Sequence, residues 1–276
     1  MTDIIDIKPF DLTGPLPTGV TVLEASAGTG KTFTIASLAA RYVAEGTPLE
    51  QLLLVTFTRM ATGELRERVR ERLVTAEQGL ERVLAGAPPS DEVVALLASG
   101  SADDIADRRR RLARALADFD AATIATTHGF CQEVLGGLGV AGDVDPDATF
   151  VEDVSELLDD VVDDLYVRRF HRRDTPDFDR AQAMQIAWAA VRNPAVRIEP
   201  EAAGEETIGA MRRRLAIAVR DELERRKRQM AVMTYDDLLT RLDDTLKGPG
   251  GAAAAARLQA RYRVVLVDEF QDTDLV

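Results

Sequence analysis

Cysteine, lysine and asparagine are nearly missing from this chain of 276 residues. The one cysteine, Cys131, has no partner for an intrachain disulfide, and with only two histidines it cannot close a structural zinc site. A reducing compartment, the cytoplasm, is the expected setting. No long uninterrupted apolar run occurs, and the opening stretch (residues 1–10) is short and acidic, so neither a membrane span nor a secretory signal is expected. Basic residues number 34 against 47 acidic ones, a net charge of −13, which excludes a surface that is a nucleic-acid footprint throughout but not a local groove. The apolar share is ample: at 46% the chain can bury a real core, which excludes wholesale disorder. The length suits one large α/β domain or two modest ones.

Hydrophobic patterning predicts alternating strands and helices. Val20 to Leu23 reads as a strand, followed by a turn-rich stretch and a helix over 31–43. Leu52 to Val55 reads as a second strand, followed by a long helix striped with Leu65, Val69, Leu73, Ala76, Leu80 and Val83. Two shorter helices lead to a third strand at Thr123 to Thr126 and a helix over 130–138. This rhythm is that of a parallel βαβ sheet. Residues 136–146 look like a boundary. From Asp143 to Val167 there are ten acids and no base, with Leu157, Leu158, Val161, Val162 and Leu165 as one apolar stripe, which reads as a helix with a solvated acidic face. Residues 168–232 are mostly helical, with Met211, Leu215, Val219 and Leu223 as another stripe, and a helix is expected over 234–246. A loop at 248–251 and an alanine-rich helix lead to Val264 to Val267, a strand expected at the centre of the sheet.

The strongest local signal is Ala25-Ser26-Ala27-Gly28-Thr29-Gly30-Lys31-Thr32, a phosphate loop with alanine in place of its first glycine. Gly28 and Gly30 let backbone N–H groups curl around phosphates at the positive end of the following helix. Lys31 supplies a charge to the β- and γ-phosphates, and the Thr32 hydroxyl suits Mg²⁺. The second half of such a site is a carboxylate at the end of a neighbouring strand. Asp268 and Glu269 follow the strand at 264–267, Asp268 to hold Mg²⁺ through water and Glu269 to polarise the attacking water of ATP hydrolysis. Lys31 and Asp268 are 237 residues apart, far more than one or two βαβ units require. A mostly helical insertion over 146–231 would account for the distance, with a first part at 1–145 and a second at 232–276.

Five stretches, E-A-S-A-G-T-G-K-T (24–32), V-T-F-T-R-M-A-T-G-E-L-R (55–66), T-T-H-G-F-C (126–131), T-Y-D-D-L-L (234–239) and V-D-E-F-Q-D-T-D (267–274), occur in an order that resembles UvrD-like superfamily 1A DNA helicases. The resemblance is strongest to the RecB-type subunits of exodeoxyribonuclease V. It implies a RecA-like phosphate-loop motor domain, 1A, with helices on both faces of a parallel sheet and an accessory domain, 1B, inserted. It further implies ATP and Mg²⁺ as cofactors, Gln271 coupling nucleotide state to movement, and a single-stranded DNA path along Thr56, Phe57, Thr58, Thr126, His128, Gly129 and Phe130. Phe57 and Phe130 would either stack on bases or pack in the core. Arg168, Arg169, Arg172, Arg173 and the cluster from Arg212 to Arg228 would either meet duplex DNA or line a solvated helix face. RecC-like and RecD-like subunits are the implied partners, in double-strand-break repair by 3′→5′ translocation, with no membrane.

Two departures stand out. No glutamine precedes the phosphate loop to read adenine, which leaves Phe10 or Leu12 as candidates. The sequence also stops where the family's motif III would begin, so weak nucleotide binding without helicase or nuclease activity is expected of this chain alone. Open alternatives are an AddA-type or other UvrD-like helicase, a different phosphate-loop ATPase class, and a nucleotide-binding scaffold that does not hydrolyse.

Overall fold

The computed structural model describes residues 9–26, 28, 30–138, 149–151, 153–171, 177–192, 196–201 and 207–272. Ten helices and five strands appear among them, in the order α1 (Lys31–Ala44), β1 (Leu52–Thr56), α2 (Arg59–Leu84), α3 (Glu92–Leu97), α4 (Ala102–Ala117), β2 (Thr123–Thr126), α5 (Thr127–Leu138), β3 (Thr149–Val151), α6 (Ser155–Phe170), α7 (Arg180–Val191), α8 (Ile208–Met230), β4 (Val232–Thr234), α9 (Tyr235–Lys247), α10 (Gly251–Arg261) and β5 (Val264–Val267). The chain divides into two compact units. One holds the described residues within 1–130 and 251–275, the other those within 131–250.

The first unit is built on a parallel sheet of order β2-β1-β5. All five residues of β1 are buried, which is why its sequence is a continuous apolar run rather than an alternating one. Leu52 and Leu54 face a core shared with Ala36, Ala39 and Val43 of α1 and Leu65, Val69 and Leu73 of α2. Leu53 and Val55 face the opposite way, toward Phe130, Leu258 and Tyr262, so helical residues cover both faces. The helices start where the sequence supplies caps. The Thr58 hydroxyl accepts the Ala61 N–H at 3.0 Å, Asp91 accepts two N–H groups of α3, and Ser101 and Asp104 close a reciprocal capping box on α4.

Two strand expectations are corrected. Residues 20–23 form no strand, and Val20 and Val22 are 99% and 75% exposed. A β-rich run becomes a strand only when a neighbour completes its hydrogen-bond ladder, and no such neighbour lies beside it among the described residues. The strand at 264–267 exists, but β1 is the central one and β5 lies at an edge of the described sheet. Val265 and Val267 accordingly remain 50% and 39% exposed.

Arg72, buried on α2, donates to both carboxylate oxygens of Asp91 at 2.7 and 3.1 Å. Burial pushes the Asp91 carboxyl up, but the bonds from Arg72 and the Val94 N–H outweigh it and hold it at about 2. A depressed carboxylate contributes stability that is fully present above its unfolded pKa near 4 and is lost as pH falls through about 2. Asp91→Asn should therefore lower unfolding stability at neutral pH by about 1–2 kcal/mol, discounted for partial exposure. Urea titrations against pH should show that difference narrowing below pH 4; a constant difference would contradict the assignment.

The second unit is mostly helical. Leu158, Val161 and Val162 of α6 pack with Ala183 and Ala187 of α7 and with Met211, Val219 and Leu223 of α8. The acids Asp159, Asp160, Asp163 and Asp164 of α6 are exposed, as the solvated-face reading expects. The short parallel pair β3–β4, with Phe150 opposite Met233, leaves no signal in the sequence because three-residue strands carry no period. It ties residues 149–151 to 232–234, and Lys227, 4% exposed, reaches Asp237 at 2.7 Å. Asp237 also closes the capping box that starts α9 at Thr234. These links hold T-Y-D-D-L-L within the unit, which extends beyond the 146–231 expected of an insertion.

Candidate functional site

Because β1, β2 and β5 are parallel, their carboxyl ends lie along one edge of the sheet, and each is followed by a motif stretch. Phe57 and Thr58 follow β1, Thr127 and His128 follow β2, and Asp268 and Glu269 follow β5. This is the edge at which open parallel sheets place their ligands.

The glycine-bearing stretch expected to bind phosphate enters α1 there. Gly28 and Gly30 have φ of +79° and +88°, and a Cβ added at either would meet nothing within 4 Å. The glycines are thus required by backbone conformation, and the space beside them is open. Gly30 caps α1, and the first intrahelical bond runs from the Thr34 N–H to the Gly30 carbonyl at 2.9 Å. The N–H groups of Lys31, Thr32 and Phe33 therefore have no partner in the helix and make its first turn a donor for anions. Ala25, Ser26, Gly28 and Gly30 are exposed, whereas Ala27 and Thr29 lie outside the described residues.

Opposite the loop stands the carboxylate pair. The Asp268 N–H donates to the Val55 carbonyl at 2.8 Å, extending the ladder and fixing the acid beside β1. Glu269 follows at φ +51°, an uncommon conformation for a residue with a side chain, which turns the chain sharply out of the strand. Lys31 Nζ donates to Glu269 Oε1 at 2.5 Å, and Gln271 donates its amide to the other Glu269 oxygen. These bonds, from Lys31 first and then Gln271, hold the Glu269 carboxyl below its usual range, and the bond to Glu269 raises Lys31. Asp268 is pushed up, by burial first and then by the charge of Glu269. Asp268 and the Thr32 hydroxyl are hard oxygen donors suited to Mg²⁺, which usually takes one or two protein ligands and completes its shell with phosphate and water. Among the described residues no group of three or more His, Cys, Asp or Glu could itself hold a metal. Buried Cys131, its thiol pushed up to about 11, is no nucleophile at neutral pH.

The residues expected along DNA have local duties as well. Thr56 is 1% exposed, and the hydroxyls of Thr58 and Thr126 cap α2 and α5. Gly129 approaches Thr126 so closely that a Cβ there would lie 3.1 Å from its hydroxyl. Phe130 packs edge-on to Tyr262, at 5.9 Å between centroids, against Leu53 and Val55. That is the packing alternative for this ring, while Phe57 is half-buried and His128 lies in the first turn of α5.

Upstream of the loop, Arg41 donates to the carbonyls of Leu12 and Gly14 at 2.5 and 2.7 Å, and the Tyr42 hydroxyl donates to the Pro17 carbonyl at 2.6 Å. Both residues thereby strap the lead-in onto α1. Leu12 packs on the core, while Phe10 is 40% exposed. In the second unit Arg213, Arg220 and Arg226 bond Ile198, Ala190 and Glu222, so much of the basic cluster serves its own fold. Arg168 and Arg169 are exposed, and Arg172 and Arg173 lie outside the described residues.

Comparison with known proteins bears on this arrangement. Residues 13–276 match the UvrD/REP helicase N-terminal domain family. A Mycolicibacterium smegmatis protein, "RecBCD enzyme subunit RecB", is 48% identical over 274 residues, covering 98% of this chain and 25% of the relative. The same-named protein of Mycobacterium tuberculosis is 47% identical over 269 residues, or 96% of this chain and 24% of the relative. An ATP-dependent helicase/nuclease protein of Streptococcus pneumoniae is 31% identical over 137 residues, half of this chain and 9% of the relative. The chain spans about a quarter of the length of the two mycobacterial relatives.

Proposed function

The chain belongs to the UvrD/REP helicase N-terminal domain family and is RecB-like, and from that premise we propose that it is the ATP-binding part of a 3′→5′ DNA helicase–nuclease subunit. The observation that carries this reading is the meeting of Lys31 and Glu269. They are 238 residues apart in sequence and 2.5 Å apart at the carboxyl edge of a parallel sheet. In this proposal residues 1–145 and 232–276 form a RecA-like motor domain 1A, and residues 146–231 form the accessory insertion 1B. Bound ATP with Mg²⁺ would supply the β–γ phosphoanhydride bond whose hydrolysis to ADP and phosphate drives movement. Lys31 and the first-turn N–H groups of α1 bind and orient the phosphates, and Thr32 and Asp268 hold the metal. Glu269 takes the proton of the attacking water, and Gln271, already bonded to Glu269, relays the change in its position.

Single-stranded DNA would run along the same edge past Phe57, Thr58 and His128, contacted through hydroxyl and backbone groups, which suits a chain of net charge −13. RecC-like and RecD-like subunits are the proposed partners, in cytoplasmic repair of double-strand breaks. Among the described residues no helix is long and apolar enough to cross a membrane.

The test uses the 276-residue chain. It should bind MgADP weakly and hydrolyse ATP without stimulation by single-stranded DNA, because arginines that complete such sites are worth roughly 10³–10⁵ in rate and no motif in this sequence supplies them. DNA-stimulated turnover of several per second would overturn the reading of a partial site. Absence of any nucleotide binding would overturn the ATP-site reading itself.

A further inference from the structure

Arg72 lies on the apolar stripe of α2 and is 7% exposed, a position where a charge needs specific partners. Asp91 is one of them, and it in turn accepts the N–H groups of Val93 and Val94 at 3.0 Å each. That bond anchors α3 to α2, but it does not use the whole guanidinium. Its carbon also stands 5.4 Å from the ring centroid of Phe33 on α1. The buried Arg72 Nε has no hydrogen-bond partner among the described residues, so Asp91 and the Phe33 ring are the contacts that hold this guanidinium in place.

Phe33 directly follows Lys31 and Thr32 and is 50% exposed. Its own N–H is among the three that the first turn of α1 presents outward, since Thr34 is the first to bond back. A half-exposed ring on a first turn has little packing to hold it. A planar guanidinium fixed by two bonds to Asp91 supplies that hold through the ring face.

We propose that Arg72 is a positioning residue for the phosphate loop, holding Phe33, and with it the first turn of α1, in the orientation that receives phosphate. This rests on the ATP-site reading above. Arg72 never touches nucleotide in this arrangement; it acts through the ring, and α2 thereby joins the nucleotide loop to the T-F-T stretch from which α2 starts.

The test is a set of fluorescence titrations of the 276-residue chain with Mg²⁺ and an N-methylanthraniloyl derivative of ADP, alongside urea unfolding. Arg72→Met should weaken binding about threefold to tenfold, the range of one partly desolvated cation–π contact. Arg72→Lys, which keeps a cation able to sit over a ring, should recover part of that loss. In a Phe33→Leu background Arg72→Met should cost nothing further in affinity. Leu258→Ala is the control for general destabilisation, because it removes packing against Leu53 and Val55 on the sheet face opposite α1 and α2. It should lower the unfolding midpoint and leave affinity alone.

Unchanged affinity in Arg72→Met, a loss that persists in full in the Phe33→Leu background, or an equal loss in Leu258→Ala would each overturn the inference. Phe33→Leu, at a half-exposed position, keeps the test decisive where Arg72→Met does not fold: unchanged binding in Phe33→Leu overturns it too. Wild-type chain that binds no nucleotide overturns the ATP-site reading and this inference with it. Wild-type binding with insensitive variants overturns this inference alone.

Discussion

Replacing Lys31 with alanine should weaken MgADP binding to the chain by on the order of 10²-fold, the scale of two charge-assisted hydrogen bonds lost at a phosphate. The first-turn N–H groups and the glycine conformations remain, so residual affinity should survive at high concentration. The variant also loses the ion pair with Glu269. Both partners are substantially exposed, so unfolding stability should barely move. Calorimetric titration with MgADP and urea unfolding together separate the two effects. Affinity within a few-fold of wild type would remove Lys31 from the phosphate site. A large loss of stability would mean that the lysine is structural.

Glu269→Gln should have opposite effects on binding and on hydrolysis. In the structure Glu269 holds Lys31, so a phosphate arriving at the loop must draw the lysine away from the carboxylate. The raised Lys31 and lowered Glu269 fix the pH range of this competition. The lysine side is intact below its ordinary pKa and lost only above its raised value. The glutamate side is intact above the ordinary carboxylate range and lost only as pH falls below it. The pair therefore stands throughout neutral pH. Neutralising Glu269 should free Lys31 and tighten MgADP binding several-fold. Where the complete ATPase is assembled, the same change should slow hydrolysis by roughly 10²–10⁴-fold, the usual worth of a general base. Equilibrium titration reads the first effect and single-turnover hydrolysis in a full-length RecB-like protein reads the second. Weaker binding in Glu269→Gln would show that the lysine is not held back, and undiminished hydrolysis would assign the base elsewhere.

The elements that were legible in the sequence are those whose burial leaves a period or a cap. The stripe of α2 and the continuous apolar run of β1 could be read because one buries a face and the other is buried throughout. Val20 to Leu23 looks like β1 in composition yet lies exposed, since composition reports β-propensity and not the presence of a neighbour. An arginine at 72 between Val69, Leu73 and Ala76 signals an obligatory partner, but the sequence does not say that Phe33 and Asp91 are the residues it meets. Asp237 likewise read only as part of a motif, while Lys227 shows what its carboxylate does within the second unit.

Sequence alone determined the chemical inventory: a glycine-bearing turn, a lysine, a hydroxyl and an acid pair, in an order that resembles the family. Those assignments rest on backbone conformation and side-chain charge, which are local properties of short stretches. Tertiary structure decided which groups meet. It set Lys31 on Glu269, turned Thr58 and Thr126 into caps, packed Phe130 against Tyr262 and placed a guanidinium over Phe33. Most of those contacts join residues on different elements, in one case 238 positions apart, and only the packing of helices onto a parallel sheet brings such positions within hydrogen-bond reach.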